Sequence, residues 1–297
     1  MSNTSRDRSG KQVEKVVSGE KALGYLYNTK TGRTILKIIT KRSVSKATGK
    51  ILNSKVSRLG IKKFVKKNNI NVEEYEDRKY LSYNDFFTRR LKPGKRMVCM
   101  AKSALICPCD GRLSVYEIKD DSVFFIKESV YTIADLLEDN ALAEEYVGGT
   151  CLIFRLSVDD YHRYCYFDWC HKSENKFING VLHTVNPIVL DKYNVYKKNC
   201  REYTVMETEN FGKAVQIEVG AMLVGKIKNL HGEGTFSRGT EKGMFEFGGS
   251  TIVLLLKKGV CEIDSDIVLN SSENVETIVK MGERIGISLI KHNKSGE

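Results

Sequence analysis

The sequence predicts an α+β protein in which a basic N-terminal helical region precedes a mostly antiparallel β domain. Residues 1–70 hold 18 Lys/Arg against 3 Asp/Glu, whereas the rest of the 297-residue chain holds 30 against 34. The basic character therefore belongs to the N-terminal quarter alone, which points to an anionic partner surface. Beyond Cys99, short apolar runs recur between Gly or Asp/Asn turns, a pattern of antiparallel strands rather than long helices.

Along the chain, residues 1–18 are polar, charged and aperiodic, and are expected to be disordered. Residues 19–98 read as a basic helical region that associates with a membrane. Ile35, Leu36, Ile38 and Ile39 lie among Arg33, Lys37, Lys41 and Arg42; Val56, Leu59, Phe64 and Val65 lie among Arg58, Lys62, Lys63, Lys66 and Lys67. Both groups describe short amphipathic helices, which pack their apolar face on the body or lay it on a bilayer. Ser82-x-x-Asp85 resembles a capping box and opens a short helix through Leu91, stopped by Pro93-Gly94. Residues 99–297 form the β domain, with strands expected at 112–118, 122–126, 150–156, 214–219, 221–228 and 251–256. Residues 131–146 are its helical insertion, and 285–290 a last strand-like piece in a polar tail.

No run approaches the roughly eighteen apolar residues of a membrane-spanning helix, and Met1–Asp7 lacks the apolar core of a secretory signal. A protein kept inside the cell is expected. The eight cysteines suit a reducing compartment, and Cys107-x-Cys109 and Cys165-x4-Cys170-His171 lack the paired Cys-x2-Cys spacing of structural zinc, so no metal is expected. Tyr25, Tyr27 and Phe64 are too sparse among the basic residues to stack bases, so no nucleic-acid partner is expected.

The most informative stretch is Phe247-Gly248-Gly249-Ser250-Thr251, directly before the apolar run Ile252–Leu256. Glycine leaves the Gly249 carbonyl unshielded, and the following strand holds the Ser250 hydroxyl still. Alone, this is a tight turn before a strand. Its company changes the reading: Cys107-Pro108-Cys109-Asp110-Gly111, the run Phe154–Arg163 ending in Asp159-Asp160-Tyr161-His162-Arg163, Leu182-His183-Thr184-Val185-Asn186-Pro187, the glycine-punctuated Glu218–Ile227, and Asn84-Asp85-Phe86-Phe87-Thr88-Arg89-Arg90-Leu91-Lys92-Pro93-Gly94. In this order, from about Tyr80 to Leu256, they resemble phosphatidylserine decarboxylase.

That resemblance implies a catalytic set of Asp110, His162 and Ser250. His162 takes the Ser250 proton as the hydroxyl attacks Gly249, and Asp110 orients the imidazole. It further implies autocatalytic cleavage between Gly249 and Ser250, giving a β chain of residues 1–249 and an α chain of 250–297 that begins with a pyruvoyl cofactor made from Ser250. The expected reaction is decarboxylation of phosphatidylserine to phosphatidylethanolamine, at the cytoplasmic face of an anionic cell membrane, by a peripheral enzyme and possible homodimer. One departure stands out. Where many members have His-x-x-His, this chain has His162-Arg163-Tyr164-Cys165, leaving Cys165 or His183 as the candidate auxiliary group. Two other readings stay open on the residues: a pyruvoyl decarboxylase of a soluble amino acid, and a non-enzymatic β-domain that binds acidic lipid.

Overall fold

The computed structural model describes residues 4–14, 20–119, 123–126, 129–180, 199–220, 226–248 and 250–291. Strands are β1 Thr4–Arg6, β2 Gln12–Glu14, β3 Ala104–Ile106, β4 Gly111–Glu117, β5 Val123–Ile126, β6 Ser129–Thr132, β7 Thr150–Leu156, β8 Arg163–Cys165, β9 Cys170–Lys172, β10 Lys176–Ile178, β11 Arg201–Thr208, β12 Gly212–Gly220, β13 Ile227–Asn229, β14 Gly234–Phe236, β15 Glu241–Phe245, β16 Ser250–Leu256, β17 Cys261–Ile263, β18 Glu276–Val279 and β19 Arg284–Ser288. Helices are α1 Glu20–Asn28, α2 Lys30–Ile39, α3 Arg42–Leu52, α4 Ile61–Asn68, α5 Tyr83–Phe87, α6 Ile133–Leu137, α7 Asn140–Glu144 and α8 Ser265–Ser272. The mixed α+β class, mostly β beyond the N-terminal helices, is as expected.

One large sheet runs β14-β9-β11-β12-β16-β7-β4-β18-β1-β2, with β10 beside β11. Its centre is β16, antiparallel to β12 on one side and β7 on the other. Every residue of β16 is buried, which explains its unbroken apolar run: both faces are covered. Val253 and Leu255 face a core with Val215, Ile217, Cys151 and Ile153. Ile252, Leu254 and Leu256 face the other, with Phe154, Tyr164 and Phe245. The small sheet β13-β15-β8 supplies Tyr164 and Phe245, and so covers that second face.

Three expectations are corrected. Residues 4–14 are not disordered: β1 pairs in parallel with β18 and folds back on β2. Arg8 bonds Asp264 and Asp266, and Arg6 bonds Asn270 and Glu273, so long-range ion pairs order a segment too polar to order itself. The insertion at 131–146 is two helices, because Glu138 takes φ 50 and ends α6 before Asp139 caps α7. Finally, α5 stops at Thr88, since Arg89 turns inward to full burial instead of continuing the helix.

The basic region packs lightly. α2 is capped by the Thr29 hydroxyl, which accepts from Gly32 N at 2.9 Å. It buries Leu36, whereas Ile35, Ile38, Ile51, Val56 and Leu59 remain exposed. No helix among the described residues is long and apolar enough to cross a membrane.

Candidate active site

Ser250 opens β16, level with Gly220 on β12 and Leu156 on β7. Strand alternation puts its side chain on the face shared with Ile252 and Leu254, beneath the small covering sheet. The hydroxyl has no solvent exposure and, among the described residues, no hydrogen-bond partner. Just upstream, Gly248 takes φ 146, a conformation that side-chain-bearing residues avoid. Gly249 lies outside the described residues, as does His183.

His162 directly precedes β8, and its carbonyl accepts from Phe245 N at 2.9 Å, which joins it to the covering sheet. α5 brings it towards the Ser250 segment. The Phe87 ring lies 4.1 Å from the His162 ring and 4.9 Å from that of Phe247. Asn84 Oδ1 accepts from Phe247 N at 2.9 Å, while the Ser82 hydroxyl caps α5 by accepting from Asp85 N at 3.1 Å. The motif Asn84–Phe87 thus braces both the histidine and the chain leading to the serine.

The His162 ring sits 2.9 Å from the Asp160 carbonyl through Nδ1. A carbonyl only accepts, so Nδ1 carries the proton and Nε2 presents a lone pair. Nε2 is buried without a partner, like the Ser250 hydroxyl, and the two are not hydrogen-bonded to each other. Burial, followed by the nearby charge of Arg89, lowers the His162 pKa to about 3, so the ring is neutral at physiological pH.

Asp110 is buried, but its carboxylate does not reach His162 by a hydrogen bond. Oδ2 takes Arg96 at 2.9 Å and Lys280 at 3.2 Å, and Oδ1 takes the Met281 amide at 2.9 Å. Burial pushes its pKa up, yet Lys280, Arg96 and the Met281 amide outweigh this and hold it below the usual value. Asp110, expected to orient the imidazole, makes no hydrogen bond to it; the Asp160 carbonyl is the partner of Nδ1. Cys165 lies beside the turn that carries Asp110, its amide donating to Pro108 O at 2.9 Å. Burial raises its thiol to about 12 and keeps it protonated.

Sequence reasoning gave no role to Arg89, Arg96, Asp160 or Lys280. Arg89 and Asp160 lay inside motifs already noted. Nothing local marked Lys280, which reaches Asp110 from 170 residues away.

Comparison with known proteins gives a consistent result. A family profile described as phosphatidylserine decarboxylase matches residues 83–287. The phosphatidylserine decarboxylase proenzyme 2 of Clostridium acetobutylicum is 52% identical over 265 residues, covering 89% of this chain and 91% of its own. The phosphatidylserine decarboxylase proenzyme of Ruminiclostridium cellulolyticum is 42% identical over 295 residues, covering 97% and 98%. That of Clostridium perfringens is 41% identical over 281 residues, covering 91% and 94%.

Proposed function

This chain belongs to the phosphatidylserine decarboxylase family, and from that premise we propose that Ser250 is its self-processing nucleophile and His162 the base. The family activity is conversion of phosphatidylserine to phosphatidylethanolamine, a carboxy-lyase reaction, by a proenzyme that makes its own pyruvoyl group. One observation carries the residue assignment: Phe87 packs against both His162 and Phe247 just upstream of Ser250, and His162 Nε2 and Ser250 Oγ are both buried without partners among the described residues. Buried polar groups are rarely left unsatisfied without a reason.

In the proposed sequence, Ser250 Oγ adds to the Gly249 carbonyl as Nε2 takes its proton. The imidazolium returns that proton to the departing Ser250 nitrogen, leaving an ester. Loss of the Ser250 Cα proton and scission of the Cβ–O bond release residues 1–249 with a Gly249 carboxylate. The dehydroalanine left on 250–297 tautomerises to an imine, and water hydrolyses it to the ketone with loss of ammonia. That ketone supplies the electron sink for decarboxylation. The Asp160 carbonyl sets the tautomer of His162, and Asp110 acts through charge, since it favours the imidazolium.

Peripheral docking at an anionic cytoplasmic leaflet fits the exposed Ile35, Ile38, Val56 and Leu59 beside the lysines of α2 and α4. Intact mass tests the core reading. The purified chain is expected as two fragments, the smaller with a blocked first residue, and Ser250→Ala as one uncut, inactive chain. An uncut Ser250→Ala protein with normal activity on phosphatidylserine would end the proposal; activity on free serine alone would shift it to a soluble amino acid.

A further inference from the structure

Arg89 is fully buried, yet no carboxylate among the described residues lies within ion-pair distance of it. An uncompensated buried cation is costly, so its placement needs a cause. Its donors go to neutral oxygens: the Phe87 carbonyl at 3.4 Å, the Tyr75 hydroxyl at 3.3 Å, and the carbonyls of Asp159 and Asp160 at 3.1 and 3.3 Å. The guanidinium also stacks 4.3 Å from the Tyr75 ring. The Asp160 carbonyl is the same oxygen that takes His162 Nδ1. The attachment is reciprocal, because Arg163 Nε returns to the carbonyls of Thr88 and Arg89 at 2.8 and 3.3 Å.

We propose that Arg89 is a positioning residue for self-cleavage: it fixes the Asp160 carbonyl that anchors His162 Nδ1–H, and so holds the ring in the tautomer whose Nε2 carries the free lone pair. The inference rests on His162 being the base. The other charged groups near the ring are Asp159, Asp160 and Asp110, which favour protonation or are tied elsewhere. Asp160 accepts from Ser157 N at 2.7 Å and pairs with Arg112 at 3.0 Å; Asp110 is held by Arg96 and Lys280. Arg89 is the one whose charged side chain touches the anchoring carbonyl.

The test uses the full chain with Ser250→Ala, which stays uncut, and reads the His162 ring nitrogens by 15N NMR across pH. With Arg89 present, the ring is expected as the Nδ1–H tautomer, neutral well below its ordinary titration range. Arg89→Met should mix the tautomers and raise the titration point by about one unit or more. In the chain with Ser250 intact, the same change should slow cleavage at pH 7 by at least about tenfold, with Arg89→Lys recovering part of the loss. A folded Arg89→Met chain with unchanged tautomer and titration overturns the proposal. Should Arg89→Met not fold, Arg89→Lys decides by the tautomer: a population of Nε2–H ring supports the guanidinium's hold on the Asp160 carbonyl, and an unchanged Nδ1–H ring overturns it. If His162→Ala matures at the normal rate, the base assignment falls, while the ring measurements still report what Arg89 does to the imidazole.

Discussion

A neutral, buried imidazole makes the fold sensitive to acid. The unfolded chain protonates this histidine near its ordinary value of 6.5, and the folded chain only near 3. Between those values the unfolded state holds a proton that the folded state refuses, so stability falls as pH drops through that window and levels off below it. The slope is about 1.4 kcal/mol per pH unit at most. Urea titrations of uncut Ser250→Ala at pH 7 and pH 5 should show the loss, and adding His162→Gln should remove most of it. For maturation itself, His162→Ala is expected to slow cleavage by ~10²–10⁴-fold. Asp110→Asn should cost less, because it removes a distant charge rather than the proton acceptor; equal losses, followed by intact mass over time, would return Asp110 to direct contact. Ser250 and His162 were legible because their chemistry is carried by neighbours in sequence. The surroundings of Asp110 were not, since Arg96 and Lys280 meet it only after β3, β4 and β18 are in place.

Elements decide how the reactive segment is held. Asn84 on α5 takes the Phe247 amide, so Asn84→Ala leaves a half-buried donor unsatisfied just before the cut bond. A loss of about 1–3 kcal/mol in stability and slower cleavage are expected, read by thermal melts of the Ser250→Ala chain and by maturation of the parent. Helices α2 to α4 are expected to act separately from this chemistry. Reversing Lys62, Lys63, Lys66 and Lys67 to Glu should abolish salt-sensitive binding to phosphatidylserine vesicles, at about 1 kcal/mol per contacting lysine, while cleavage proceeds. Slowed cleavage would instead assign α4 a structural duty through Phe64, which meets Tyr83 and Phe86. Helix α2 was readable from its spacing, whereas the second expected helix, from Val56 to Lys67, is a 3-10 helix over Lys55–Gly60 followed by α4. The break at Glu138 was not readable, because Ile133, Leu136, Leu137 and Ala143 fit one helical face as well as two.

At the scale of the molecule, the proposed cut falls between pieces that remain interleaved. β16, from the downstream piece, lies between β12 and β7 of the upstream one, and β18 lies between β4 and β1. The N-terminal hairpin, invisible in sequence because three-residue polar strands carry no pattern, adds Arg8 to Asp264 and Asp266 across the same divide. Arg8→Ala should lower the stability of the matured enzyme by about 1 kcal/mol, as befits a partly exposed pair, read as an earlier denaturation midpoint. The central place of β16 also gives the protein a history that its finished form cannot repeat. Before the cut, a single polymer finds its middle strand by an intramolecular search; afterwards the same search is an encounter between two molecules, one of them 48 residues long. Melted and cooled, the matured enzyme should recover less the more it is diluted, whereas Ser250→Ala recovers at any concentration. The precursor works as its own template, and the enzyme outlives the only covalent path by which it was assembled.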